Sequence, residues 1–274
     1  MSRATPVALT IAGSDSGGGA GIQADLKAFA ARGVHGASAI TAITVQNTIG
    51  VTAIHPVPPD IVIAQVRSVA EDLGVDAIKL GMLGDRTTIL AVAAALDELP
   101  PEVPVVVDPV MVAESGARLL DPSAHDALLA EIVPRAHVLT PNLPEARALL
   151  GESADSDPDA ADAERLARAL LDLGPRAIVL TGGHRSEATD VLLERGNPRA
   201  VTIAGPRHAD GASHGSGCTH ASALAAGLAL GESVEQAARA ARRIAGDAVA
   251  RGLRELGAGA GPVDAIDLAA RRQP

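Results

Sequence analysis

Short, uninterrupted apolar runs alternate along this chain with longer stretches whose apolar residues recur every three or four positions. A short run of Val, Ile, Leu and Ala reads as a strand buried on both faces, and the longer period reads as a helix with one face turned inward. The pattern predicts strands at Val7–Ala12, Ser38–Val45, Val51–Ile54, Ala77–Leu80, Val105–Val107, His137–Leu139 and Ala177–Thr181. It predicts helices at about Ile22–Arg32, Asp60–Leu73, Thr87–Leu99, Pro122–Ile132, Pro144–Leu150, Ala160–Leu173, Thr219–Leu230 and Val234–Leu256. Asp190–Glu194 and Arg199–Ile203, joined across Gly196-Asn197-Pro198, predict a small antiparallel hairpin at a sheet edge. This alternation builds βαβ units around a mainly parallel sheet. The acidic stretch Glu152–Asp159 has the length of a surface loop between two helices, so residues 1–274 are expected to form a single domain.

Composition narrows the function. With 23 Lys and Arg against 33 Asp and Glu, the chain carries a net charge of −10 and lacks the basic surplus of a nucleic-acid binder. Phe29 is its one aromatic residue, so a flat ligand ring must lie between aliphatic, Met or peptide surfaces. A single cysteine, Cys218, precludes an intramolecular disulfide and points to a reducing, cytoplasmic setting. The longest apolar run, Ile89–Leu96, has eight residues against the roughly 18 that span a bilayer, so no membrane partner is expected. Val7–Ala12 is too short for a signal-peptide core, and no targeting segment is expected.

In open parallel sheets ligands bind beyond the carboxyl ends of the strands. Gly13–Gly21, after the first strand, packs five glycines into nine residues, which permits close backbone approach to a ligand, with a plain turn as the less favoured reading. Its spacing is not a dinucleotide fingerprint, and no G-x-x-x-x-G-K-[ST] loop occurs in the chain. His214-Gly215-Ser216-Gly217-Cys218-Thr219-His220 opens a helix, where converging N–H groups and the helix dipole suit a transferring phosphoryl group. Cys218 there is expected to have a lowered thiol pKa and to act as base, hydrogen-bond partner or nucleophile; a capped helix with a structural cysteine is the plainer reading. Asp108 and Glu145, after neighbouring strands, can hold Mg²⁺ through water or can serve as helix caps. The amide of Gln46 suits the edge of a nitrogen heterocycle, and Thr181-Gly182-Gly183-His184 is another close-approach loop.

The segments GSDSGGGAGIQADLKAF, TAITVQNTIGV, KLGMLGD, VDPVMVAESG, TPNLPEA, TGGH and HGSGCT follow one another in this order. That order resembles the hydroxymethylpyrimidine and phosphomethylpyrimidine kinases of thiamine biosynthesis, within the ribokinase-like superfamily. The resemblance implies a doubly wound α/β fold, with helices flanking the sheet. It also implies ATP- and Mg²⁺-dependent phosphorylation of a hydroxymethylpyrimidine and then of its monophosphate, and a homodimer. Carried over, Gln46 would bond the pyrimidine edge, Ala20, Met82 and Val110 would wall the ring, and Gly13 and Asp25 would orient it. Gly215, Ser216 and Gly217 would form the anion hole, with Cys218 facing the reacting hydroxyl. Asp108, Asn142 and Glu145 would organise Mg²⁺ and phosphates, and Thr181, Gly183 and His184 would approach the nucleotide. Glu114 and Thr181 stand where the family commonly has Lys, and Ala212-Ser213 where it has Asn-Thr. Three other readings are a pyridoxal or pyridoxine kinase, a pyrimidine-binding protein that has lost phosphoryl transfer, and a thiol hydrolase built on Cys218.

Overall fold

The structure, a computed structural model, describes residues 4–152, 160–182, 189–208 and 211–272. Its sheet has nine strands, β1 (Val7–Asp15), β2 (His35–Gln46), β3 (Val51–Pro56), β4 (Ala77–Leu80), β5 (Val105–Val107), β6 (Val138–Leu139), β7 (Ala177–Leu180), β8 (Asp190–Glu194) and β9 (Val201–Ile203). They stand in the order β3-β2-β1-β4-β5-β6-β7-β8-β9. The run β2-β1-β4-β5-β6-β7 pairs in parallel, and β8 and β9 add the expected antiparallel hairpin. The opposite edge is antiparallel too, because β3 turns back along β2. Only the residues between Gln46 and Val51 join those strands, far too few for a parallel crossover.

Helices α1 (Gly21–Ala31), α7 (Ser216–Ala229) and α8 (Val234–Ala250) pack on one face. Helices α2 (Pro59–Asp72), α3 (Arg86–Asp97), α5 (Leu143–Leu149) and α6 (Ala160–Asp172) cover the other. Successive strand residues serve opposite cores: Leu9, Ile11, Val105 and Val107 face one, Ala8 and Val106 the other. The α7–α8 side is filled largely by alanine around Phe29, so close helix approach replaces the bulk that aromatic residues would supply. A Cβ at Gly227 would lie 2.7 Å from the Cβ of Ala237, which shows how near the two helices run.

Several boundaries differ from expectation. β1 continues to Asp15, with a bulge between Ala12 and Ser14, so the first glycine cluster begins inside a strand. Helix α7 starts at Ser216 rather than Thr219, since Gly215 takes φ +84° and turns the chain into the helix at once. α8 stops at Ala250; at Gly252 a Cβ would come within 2.4 Å of the Cβ of Ala212, as the chain folds back on the segment before α7. The predicted helix Pro122–Ile132 is a broken coil: a tight turn Pro122–Ala124, one α-turn α4 (His125–Ala127), a wide turn Leu128–Ile132 and a second tight turn Val133–Arg135. Pro134, lacking an N–H, cannot extend a regular ladder there.

Candidate active site

The two glycine clusters prove to be one construction. Asp15, ending β1, is almost wholly buried and accepts N–H groups of Gly17 (2.8 Å), Gly19 (3.0 Å) and Ala20 (2.8 Å). His214 Nε2 lies 2.9 Å from the same carboxylate. Burial pushes the Asp15 carboxyl up, but His214 and the N–H groups of Ala20 and Gly17 outweigh it and hold the group below the usual range. A Cβ at Gly19 would sit 2.2 Å from the His214 ring, and one at Gly215 1.8 Å from the carbonyl oxygen of Gly19. The glycines here let one loop lie directly on the other.

That contact places the first turn of α7. Ser216 N–H donates to Ser213 O (2.9 Å), while helix geometry leaves the N–H groups of Gly217 and Cys218 without an intrahelical acceptor. Gly217 is exposed, with open space where a Cβ would be. An anion reaching this turn would meet free donors at the positive end of a 14-residue helix.

Cys218 corrects the sequence expectation. Its thiol is pushed up to about 12, not lowered: burial raises it most, and Asp108 and Asp25 add to that, while Lys79 and the Gly21 N–H oppose. The helix terminus is outweighed by the desolvated, acid-lined setting. Lys79, completely buried, lies 3.0 Å from Asp25 and 3.5 Å from Asp108. Asp25 also accepts Thr10 Oγ1 (2.7 Å) and Ser222 Oγ (2.6 Å), so its contacts are inside the protein.

Asn142 and Glu145 form a reciprocal capping box at the start of α5, each side chain accepting the other's N–H at 2.9 Å. Glu145 is nonetheless pushed up to about 8, by burial first and by Asp108 second. Burial likewise raises Asp108 against the pull of Lys79, and its Oδ2 has no hydrogen-bond partner. Asp108 raises Glu145, and Asp108 Oδ2 has only the Lys79 ammonium 3.5 Å away, so this pair of buried carboxyls suits a cation. Among the described residues no group of three His, Cys, Asp or Glu side chains could hold a metal ion, so water and phosphate oxygens would complete the shell.

The remaining candidates fall around this centre. Gly13 adjoins Met82, since a Cβ there would lie 3.0 Å from Met82 Sδ. Ala20 precedes α1, and Val110 follows Asp108 and is half-buried. Gln46 is joined to the glycine loop through Ser16, whose Oγ donates to Gln46 O (2.7 Å) and accepts its N–H (2.9 Å). Thr181 bridges to Asn142, and its N–H donates to Pro141 O (2.9 Å). Gly183 and His184 lie outside the described residues. Gly182 N–H donates to Asp190 (3.0 Å), whose other oxygen is 3.0 Å from His220 Nε2. Glu114 accepts Ser213 Oγ at 2.5 Å, joining two of the unusual positions just before the glycine turn. A recess of about 320 Å³ meets this set only at Met82; neither Cys218 nor Gln46 lines it.

Sequence reading overlooked Lys79 and Asp190, and it did not pair Asp15 with His214 or Asp190 with His220. Lys79 opens the KLGMLGD segment and Asp15 lies in the glycine cluster, but their partners are remote along the chain.

Comparison with known proteins bears on this geometry. A family profile described as "Phosphomethylpyrimidine kinase" matches residues 15–264. The hydroxymethylpyrimidine/phosphomethylpyrimidine kinase of Rhizobium meliloti (strain 1021) is 47% identical over 262 residues, covering 94% of this chain and 96% of its own. An ADP complex of Bacillus subtilis pyridoxal kinase superposes with TM-score 0.85 at 35% identity, over 99% of this chain and 100% of that one. Phosphomethylpyrimidine kinase from Clostridium difficile 630 gives TM-score 0.75 at 38% identity, over 87% and 97%.

Proposed function

This chain belongs to the phosphomethylpyrimidine kinase family, and from that premise we propose that it moves the γ-phosphoryl group of ATP onto 4-amino-5-hydroxymethyl-2-methylpyrimidine and then onto the monophosphate, for thiamine biosynthesis. The observation that carries this reading is the turn Gly215–Cys218, with the N–H groups of Gly217 and Cys218 left without an intrahelical acceptor, beside the acid Asp108.

Phosphoryl transfer passes through a loose transition state and asks mainly for positioning and charge stabilisation. Gly215, Ser216, Gly217 and Cys218 supply amide donors to the migrating group. With its pKa near 12 the Cys218 thiol is neutral at physiological pH, so it serves the substrate hydroxyl as a hydrogen-bond partner and not as a thiolate base. Gln46 reads the ring edge; Ala20, Met82 and Val110 wall the ring, with Gly13 leaving room for it. Asn142, Thr181, Gly183 and His184 hold the nucleotide. Asp108 and Glu145 are the residues that would hold Mg²⁺, whose chemistry is to neutralise phosphate charge.

A homodimer in the cytoplasm belongs to the same reading; apolar Ile43, Val45 and Ile54, exposed on β2 and β3, support the former. Among the described residues no helix is long and apolar enough to cross a membrane.

The high structural likeness to a pyridoxal kinase favours one second reading, in which vitamin B6 is the acceptor. The test is incubation with Mg-ATP and each alcohol, followed by mass spectrometry. Mono- and diphosphate esters of the pyrimidine are expected; faster turnover of pyridoxal would favour the second reading, and no ester from either would overturn both.

A further inference from the structure

A buried ammonium is costly unless it is paired, and an apolar residue would serve a central strand equally well. Lys79 nevertheless occupies β4 between Ile78 and Leu80 with no exposure at all. Its surroundings hold it in place: a Cβ at Gly81 would come within 2.9 Å of Nζ, so the glycine leaves the room that the ammonium fills. Nζ stands 3.0 Å from Asp25 Oδ1 and 3.5 Å from Asp108 Oδ2. Asp25 in turn accepts Ser222 Oγ (2.6 Å) on α7 and Thr10 Oγ1 (2.7 Å) on β1. Ser222 is four residues beyond Cys218, hence on the same helix face one turn on.

We propose that Lys79 is a positioning residue for phosphoryl transfer: through Asp25 and Ser222 it fixes the opening turns of α7, and on its other side it faces Asp108. One buried ammonium thus ties the amide cradle at Gly215–Cys218 to the carboxylate at the end of β5. Lys79 does not reach substrate; it sets the separation of the groups that do. The inference rests on the kinase reading above and adds a residue that acts through others.

The test compares Lys79→Met and Ser222→Ala with the wild-type protein in steady-state phosphorylation of the pyrimidine alcohol, with folding checked by circular dichroism. A misplacement of about 1 Å can cost ~100-fold in rate, so kcat should fall by about that factor in Lys79→Met and by about tenfold in Ser222→Ala. KM for the alcohol should stay within about threefold in both, because the ring contacts are untouched. Ser222→Ala removes one hydroxyl and no charge, so it decides the matter if Lys79→Met does not fold. A folded variant with wild-type kcat, or one altered in KM alone, would overturn the proposal. Absence of turnover in the wild type would instead refute the kinase reading.

Discussion

Iodoacetamide should find Cys218 nearly inert until the solution is strongly alkaline. The thiolate is the species that alkylates, and burial holds this thiol up at about 12. At pH 8 a group with that pKa is ionised in about one molecule in 10⁴, whereas an ordinary cysteine, near 8.5, is ionised in about a quarter. The expected rate is therefore about two thousandfold below that of glutathione in the same tube, before access through the loop is counted. Cys218 is the chain's one cysteine, so a single mass shift reports it without ambiguity. The fraction modified should be followed between pH 7 and 10.5 at fixed reagent, where the rate should climb about tenfold per pH unit without levelling. Alkylation at the free-thiol rate, or a plateau near pH 8, would refute the reasoning and restore the thiolate expected at a helix start. The same neutral thiol has a catalytic corollary: Cys218→Ala should lower kcat with little change in KM, and Cys218→Ser, which keeps a donor, should lose less.

Asp15→Asn should destabilise the fold by about 3 kcal/mol, because an amide would turn N–H donors toward the donors of Gly17, Gly19 and Ala20. Asp15 has a depressed pKa in the folded state, so its contribution is present above the unfolded value of 3.8 and is lost as pH falls through the lower folded value. Urea titrations of both proteins should converge below about pH 4 and diverge above it; a constant gap across pH would contradict this. Gly215→Ala, at φ +84° and with its Cβ 1.8 Å from Gly19 O, should abolish turnover by splitting the two loops, and a fully active variant would rule out the contact as essential. Gln46→Ala should raise KM for the pyrimidine about tenfold, the worth of one hydrogen bond of ~1.4 kcal/mol; an unchanged KM would remove Gln46 from the ring.

The parallel centre of the sheet was legible in the sequence because β5 and β7 are buried on both faces and carry continuous apolar runs, and β4 departs from one only at Lys79. Edge strand β3 was legible as a strand but not as an antiparallel one, since most of its residues face solvent and its pairing depends on a short turn. The glycine clusters stood out by composition, yet what they accommodate did not: Asp15 and His214 are 199 positions apart. Cys218 was misread for a related reason. Its place near a helix start is local information, whereas the acids that raise its pKa come from α1 and from the end of β5, remote along the chain. Lys79 was passed over because a lysine in a sequence reads as solvent-exposed until its partners are known.

The most direct test is a structure of the protein with a non-hydrolysable ATP analogue and the pyrimidine alcohol. Oxygens of the γ-phosphate should lie about 2.9 Å from the backbone nitrogens of the Gly215–Cys218 turn, with the alcohol oxygen opposite. A γ-phosphate lodged elsewhere, for example in the recess beside Arg118, would contradict the assignment of that turn as the place where the phosphoryl group is transferred.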